Sequence, residues 1–372
     1  MAEPIYLDYQ ATTPLAPEVW AAMTPWLRDK FANPHSAHRL GREAAAALSV
    51  ARDKVAGLLP SGGEVIFTSG ATEAINLAIL GYLRGNDDPV RREIITVATE
   101  HAAVLDTVRY TETLGYSAKI IAVDGAGLVD IEALRAAISE RTALVCVMLV
   151  NNEIGVVQPI AALADIAHQA GAAFFCDAVQ GYGRSPIADG CDMVALSGHK
   201  IYGPKGAGAL WKRDGISLAP IMHGGGQEAG LRAGTLSPAL CVGLGEAAAL
   251  MAERREADAA YIERLWEAVM ASGALDDWTI NGSTEARYHG NLNIRRNGVD
   301  AARLMSELRD VAFSLGSACA SGSGRSSHVL TAIGLNASEA KTSLRLGWGR
   351  YTKVDELVYA LGQINAASQR QL

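Results

Sequence analysis

The sequence lacks the features that mark several large classes of protein. Lysine and arginine number 33 against 40 aspartates and glutamates, so the formal net charge is -7. Because phosphate contacts supply most of the affinity of nucleic-acid-binding proteins, we expect no direct nucleic-acid binding. The longest apolar runs, such as residues 142–150, fall far short of the roughly 20 residues that cross a bilayer. The N-terminus shows no basic or apolar leader, so we expect a cytoplasmic protein that does not associate with membranes.

Cysteine is scarce and its spacing is irregular. The five cysteines form no CxxC or Cys/His pattern, so the sequence predicts neither a disulfide framework nor a zinc site. Three of them, at 146, 176 and 241, lie in apolar or helical stretches, where a thiol usually packs as a small hydrophobe. His35 and His38 have the spacing of one helix face, but no third ligand is evident, and we predict no metal site.

Between residues 64 and 213, short apolar strand-like runs alternate with helical patterns. The helices are expected over residues 72–83, 104–114, 131–138 and 160–170. This alternation predicts an α/β fold with a mostly parallel central sheet and helices on both faces, whose ligands bind at the carboxyl ends of the strands. Two long helical patterns then run to about residue 272, and shorter signals continue to a final helix over 354–368. We therefore expect a large domain over 13–254 and a smaller α+β domain formed by 1–12 and 255–372.

Three strand ends in the large domain carry residues suited to one ligand. Residues 69–73 (SGATE) follow a strand and open a helix, which favours a phosphate at the helix N-terminus, although an ordinary capped turn is the alternative. Asp177 ends an apolar strand and requires a cation, whether from the protein or from a heterocyclic nitrogen. Lys200 lies in a Gly-rich turn after the next strand and is suited to a Schiff base, although alone it would be a surface lysine. Together they match the phosphate, ring nitrogen and aldehyde of pyridoxal 5'-phosphate.

Three further residues are candidates for chemistry or binding. His101 follows a strand at the same edge, where it would stack on a ring, transfer protons or simply cap a helix. Cys319 lies in residues 314–327, of which nine of fourteen are Ser or Gly, so we expect a mobile loop with a reactive thiol. Arg345 lies in an apolar strand and is expected to pair with a carboxylate of the protein or of a ligand.

Nine short segments carry a resemblance to a known family. They are 6–14 (YLDYQATTP), 33–36 (NPHS), 67–73 (FTSGATE), 99–101 (TEH), 150–155 (VNNEIG), 177–180 (DAVQ), 197–200 (SGHK), 232–235 (RAGT) and 316–319 (GSAC). In this order they resemble the NifS/IscS-like cysteine desulfurases, which are fold-type I pyridoxal phosphate enzymes of the class V aminotransferase family. The resemblance extends from residue 6 to about 365. The GSAC segment separates this group from the SufS-like group and from selenocysteine lyases.

The resemblance implies a role for each matching residue. Lys200 would bind the cofactor covalently and remove the substrate Cα proton, with Asp177 on the pyridine nitrogen, Gln180 on the phenolic oxygen and His101 stacked on the ring. The residues implied for the phosphate are Ala71, Thr72, Ser197 and His199, with Thr235 contributed by the other subunit of a homodimer. Asn152, beside the cofactor, and Arg345 would hold the substrate carboxylate.

The implied activity is conversion of L-cysteine to L-alanine. The sulfur would pass as a persulfide on Cys319 to an acceptor protein, an iron-sulfur scaffold or a sulfur carrier, for iron-sulfur cluster assembly or thiolation. The alternatives are another pyridoxal phosphate-dependent lyase or aminotransferase, a selenocysteine lyase, and a catalytically silent sulfur carrier that uses only the loop cysteine.

Overall fold

A computed structural model describes residues 3–86, 88–316 and 327–372. The strands are β1 (Ile5–Tyr6), β2 (Gly63–Thr68), β3 (Glu93–Val97), β4 (Ser117–Ile121), β5 (Thr142–Met148), β6 (Ala173–Asp177), β7 (Met193–Ser197), β8 (Gly208–Arg213), β9 (Thr279–Ile280), β10 (Asn291–Arg295), β11 (Val311–Ala312), β12 (Ser314–Leu315) and β13 (Ser343–Gly347). The helices are α1 (Pro17–Arg28), α2 (Arg39–Ala56), α3 (Ala71–Asn76), α4 (Tyr82–Gly85), α5 (Ala102–Glu112), α6 (Ile131–Ala137), α7 (Ile160–Gln169), α8 (Pro238–Glu253), α9 (Arg255–Ala271), α10 (Ala301–Glu307), α11 (His328–Ala332), α12 (Ala337–Lys341) and α13 (Val354–Gln369).

The predicted α/β fold class is confirmed. The central sheet has seven strands in the order β2-β8-β7-β6-β5-β3-β4, and the neighbours from β7 to β4 are parallel. Strand β8 is antiparallel to both β2 and β7. The alternation pattern identified the parallel strands, because helices separate most of them along the chain, although β6 and β7 are joined by turns without a helix. It did not identify β8, which follows β7 after a short Gly-rich turn without a helix between them.

The central strands are buried on both faces. In β5, Val145 and Val147 belong to one hydrophobic core with residues of α1, α2, α7 and α8, whereas Leu144 and Cys146 belong to a second core with residues of α3 and α5. Since side chains alternate along a strand, these are the two faces of the sheet. The expectation of helices on both faces is therefore confirmed.

A second group of elements has its own core. Strands β12, β13, β10 and β9 form a four-stranded antiparallel sheet in that order, and β1 pairs with β11. The core of this group includes Leu7 near the N-terminus together with residues of α9, α10 and α13. The N-terminal segment therefore packs with the C-terminal elements. The division of the chain at residue 254 stays a prediction.

Several local expectations can be compared with the structure. No helix in the described part of the chain is long and apolar enough to cross a membrane. His38 is the N-cap of α2, where its ring accepts a hydrogen bond from the amide of Gly41 at 3.2 Å. The segment expected as a loop over 314–327 begins with strand β12 and ends at Ser327, which caps α11, while residues 317–326 lie outside the described residues.

Candidate active site

A cavity of about 870 Å³ opens at the carboxyl ends of the parallel strands. The residues predicted from sequence that line it are Ala71, Thr72, His101, Asn152, Asp177, Gln180, Ser197, His199, Lys200 and Arg345. They follow β2, β3, β5, β6 and β7, and one comes from β13 of the second sheet. This is the edge at which open α/β sheets bind ligands.

The turn between β2 and α3 presents main-chain amides to the cavity. Gly70 is the N-cap of α3 and makes no side-chain cap, and the amides of Ala71 and Thr72 have no acceptor among the residues described. Gly208 lies so close to this turn that an added Cβ would be 2.6 Å from the Gly70 Cα. The Ser69 amide and hydroxyl donate to Glu73, at 2.7 and 2.6 Å. The side-chain cap by Ser69 or Thr72 that was the alternative from sequence is therefore absent, and the amides of Ala71 and Thr72 are left without an acceptor in the described structure and are available to an anion.

Asp177 is a buried carboxylate that faces the cavity. It is 3% exposed, and it accepts a hydrogen bond from the Val179 amide at 3.0 Å. No lysine, arginine or histidine among the described residues lies within ion-pair distance of it. Burial raises the pKa of Asp177, and the charges of His101 and Lys200 oppose this only in part. The site therefore offers a place for a cationic group of a ligand.

The Lys200 side chain lines the same cavity, and its amine contacts the N-terminal segment. Lys200 lies in a single 3-10 turn directly after β7. Its Nζ donates to the main-chain oxygens of Gln10 and Ala11, at 2.6 and 2.8 Å. Gln180 donates to the same Gln10 oxygen at 2.9 Å. The segment that follows β1 thus holds the amine at the mouth of the strand.

His101 is both a helix cap and a cavity residue. Its Nδ1 accepts a hydrogen bond from the Ala103 amide at 3.1 Å at the start of α5. An accepting Nδ1 assigns the proton of the neutral ring to Nε2. Burial is the main cause of a lowered His101 pKa, and the charge of Lys200 lowers it further while Asp177 raises it. At neutral pH, Nε2–H is therefore the group that His101 presents.

His199 lies beside Lys200 and is also neutral. Burial, with the charges of Lys200 and Lys205, lowers the pKa of His199 to about 4. Its Nδ1 is 3.2 Å from the Thr12 hydroxyl, so one ring nitrogen is occupied by the N-terminal segment. The other nitrogen is available to a ligand.

Arg345 pairs with a carboxylate of the protein, which is one of the two partners expected from the sequence; the other was a ligand carboxylate. Its Nη2 donates to Asp8 at 2.9 Å, and its Nη1 donates to the main-chain oxygen of Asn152 at 3.2 Å. The same Asp8 oxygen accepts from Ser314 at 2.9 Å. The Arg345 Nε is buried and has no partner in the described structure. The guanidinium is therefore fixed by Asp8 and keeps donors for a second carboxylate.

One predicted residue does not line the cavity, and another lies outside the described residues. Thr235 is exposed and does not line it, so its contact with a bound phosphate stays a prediction that depends on a second subunit. Cys319 lies outside the described residues.

Two sets of residues at or near the cavity were not predicted from the sequence. Glu100 is 1% exposed, accepts from the Met148 amide at 2.7 Å, and has its pKa raised well above the usual value by burial, with a further contribution from Asp177. Its position beside His101 was the only signal. Asp8 and Gln10 also line the cavity, and both lie in the first segment of the resemblance, to which no role had been assigned.

The fold is a layered α/β architecture with reactive side chains at the carboxyl edge of its sheet. Proteins of this class bind a cofactor or substrate at the strand ends. The chain belongs to the aminotransferase class-V family, whose model matches residues 5–359. A cysteine desulfurase IscS of Rickettsia bellii is 43% identical over 369 residues, covering 96% of this chain and 89% of the relative.

Solved structures agree with this assignment. A structure described as a NifS-like protein has a TM-score of 0.91 at 31% identity and covers 99% of this chain and 100% of its own. A structure of SspA in complex with cysteine has a TM-score of 0.82 at 36% identity and covers 94% of this chain and 99% of its own. The fold and the family that the resemblance implied are confirmed.

Proposed function

We propose that the protein is a pyridoxal phosphate-dependent cysteine desulfurase. The observation that carries the proposal is the cavity itself, which combines Lys200 and Arg345 with the buried carboxylate of Asp177 and the two free amides after β2, neither of which has a charged partner among the described residues. Relatives that are 43% identical bear the name cysteine desulfurase, and one similar structure contains cysteine.

The residues present fit the proposed cofactor. The amides of Ala71 and Thr72 fit its phosphate, together with the Ser197 hydroxyl at the end of β7 and the free ring nitrogen of His199. Asp177 has no cation within ion-pair distance among the described residues, and a protonated pyridine nitrogen would supply one. The Lys200 amine is held where it would meet the aldehyde. When bound, the cofactor supplies an electron sink for the charge that develops at the substrate Cα.

The chain's own residues then supply binding and proton transfer. Arg345 and Asn152 hold the substrate carboxylate, since Arg345 keeps unused donors after its bond to Asp8. Lys200 is the base that takes the Cα proton, and the carbonyls of Gln10 and Ala11 orient its amine. His101 presents Nε2–H towards the cavity and fixes its own orientation through the cap at Nδ1.

Cys319 is proposed as the acceptor of sulfur. Its thiolate attacks the substrate sulfur, so that a new S–S bond forms while the substrate Cβ–S bond breaks and leaves its electron pair on carbon. Protonation of that carbon and return of a proton to Cα give alanine, and the persulfide passes to an acceptor protein, either an iron-sulfur scaffold or a sulfur carrier. We also propose a homodimer in which Thr235 of one subunit contacts the phosphate held by the other.

The test is incubation of the purified protein with L-cysteine, followed by quantification of alanine and mass analysis of the peptide that contains Cys319. We expect one alanine for each sulfur released and one added sulfur atom on that peptide. Lys200→Ala is expected to abolish turnover. Cys319→Ala is expected to keep cofactor absorbance but lose sulfide release, whereas Cys241→Ala, at a buried position, serves as the matched control.

Two results would contradict the proposal. Pyruvate with ammonia, or a keto acid, in place of alanine would indicate another lyase or an aminotransferase. Sulfide release by Cys319→Ala equal to that of the unmodified protein would remove the role assigned to this thiol.

A further inference from the structure

A second, smaller crevice lies away from the cavity, where α9 approaches the turn after β6 and the end of β13. Its volume is about 190 Å³. The charged residues lining it are Arg184, Arg255, Arg287, Arg350, Asp258 and Glu263. Four guanidinium groups therefore face two carboxylates.

Both carboxylates already have cationic or hydrogen-bonding partners. Asp258 accepts from Arg350 through Nη2 at 2.6 Å and through Nε at 3.1 Å. Glu263 is 2.7 Å from the ring of His289, which also lines the crevice. In the described structure neither carboxylate forms an ion pair with Arg184, Arg255 or Arg287.

Arg287 is a buried cation without a carboxylate partner. It is 7% exposed, and its guanidinium donates to the main-chain oxygens of Ser283, Asn291 and Asn281. No carboxylate lies within 4.0 Å of it in the described part of the chain. Burial lowers the pKa of Arg287 to about 10. A charge in this environment is costly unless an anion compensates it.

Arg184 is a second arginine of the crevice whose hydrogen bonds go to main-chain oxygens rather than to a carboxylate. It donates to the main-chain oxygens of Gln180 and Lys200, and no described carboxylate pairs with it. Its guanidinium lies 5.3 Å from the ring centre of Tyr288. An aromatic face attracts a cation but does not neutralise its charge.

Arg350 adds an unused donor. Its side chain is 8% exposed, and its Nη1 is buried without a hydrogen-bond partner among the described residues. One face of the guanidinium is covered by Tyr202, with 4.4 Å from Cζ to the ring centre. The edge that carries Nη1 is therefore left to hydrogen-bond with a ligand.

We propose that this crevice binds a small oxyanion of the size of inorganic phosphate or sulfate, held by Arg350 Nη1 and the guanidinium groups of Arg184 and Arg255. The volume admits an ion of this size and excludes ligands of cofactor size. The proposal does not rest on the proposed function, since none of these side chains lines the larger cavity.

The ion would join separate parts of the molecule. Arg255 begins α9, Arg350 follows β13, and Arg184 follows β6 and donates to the main chain of Lys200. Because the ion would bind the native state, in which these segments are assembled, binding is expected to raise the unfolding temperature.

The experiment measures thermal unfolding of the cofactor-loaded protein in phosphate, in sulfate and in chloride at equal ionic strength. We expect a saturable rise of a few degrees in both oxyanions relative to chloride. Arg184→Gln and Arg255→Gln are expected to lose most of that rise. Arg264→Gln, an exposed arginine on the same helix outside the crevice, is the matched control and is expected to keep it.

Two outcomes overturn the proposal: equal unfolding temperatures in all three salts, or an oxyanion-specific rise that persists in both Arg184→Gln and Arg255→Gln. If Arg184→Gln does not fold, Arg255→Gln alone decides. A crystal grown with selenate provides the direct readout, because its anomalous signal is expected within hydrogen-bond distance of Arg350 Nη1. Cofactor absorbance is recorded separately, so loss of the proposed function and loss of this site are distinguishable.

Discussion

The ion pair between Asp8 and Arg345 permits a quantitative prediction for Asp8→Asn. The side chain of Arg345 is 3% exposed and that of Asp8 is 19% exposed, with 2.9 Å between Nη2 and the carboxylate. Breaking a buried pair typically costs about 3–5 kcal/mol, because one charge is left uncompensated. The asparagine oxygen still accepts hydrogen bonds, and Asp8 is partly solvated, so we expect a loss of about 2–3 kcal/mol in the free energy of unfolding.

The assay is denaturant unfolding at fixed protein concentration, with the midpoint converted to free energy. Glu307→Gln is the control, because its pair with Arg303 is exposed and is expected to contribute less than about 1 kcal/mol. L-alanine supplies a carboxylate that can pair with Arg345, so it is expected to stabilise Asp8→Asn more than the unmodified protein. A loss no larger than that of the control would refute the assignment of a buried, energetically important pair.

Three further predictions concern the cavity. Asp177→Asn is expected to lower turnover of L-cysteine roughly a hundredfold while cofactor remains bound, as measured by kcat and absorbance, and unchanged kcat would contradict the role of the carboxylate. Gly208→Ala is expected to weaken cofactor binding in titrations, because the added Cβ would press on Gly70. Gly362→Ala is the comparison: nothing lies within 4 Å of an added Cβ at this position in α13, so we expect the free energy of unfolding to rise by about 1 kcal/mol. The folded-state pKa of His199 is lowered to about 4, so its contribution to stability is full above its unfolded pKa of about 6.5 and is lost as pH falls towards 4. Cofactor-free His199→Gln is therefore expected to show a smaller loss of stability over that range than the unmodified cofactor-free protein.

The sequence by itself determined the parallel strands of the central sheet and most of the cavity. Strand-helix alternation implies parallel strands, and the carboxyl ends of such strands must lie at one edge. Asp177 and Lys200 were therefore expected at the same edge, since Asp177 ends β6 and Lys200 lies in the turn after β7, and both line the cavity. His101 was placed by the same argument.

Only the tertiary structure decided how the N-terminal segment completes the site. Gln10 is 190 residues from Lys200 along the chain, and Asp8 is 337 residues from Arg345, yet each pair is in hydrogen-bond contact. No local pattern encodes such contacts, because they depend on β1 pairing with β11 and on the packing of Leu7 into the core of the second group of elements. The crevice around Arg287 was also unpredictable from the sequence. Its arginines come from segments that are distant along the chain, and only the folded structure brings them together.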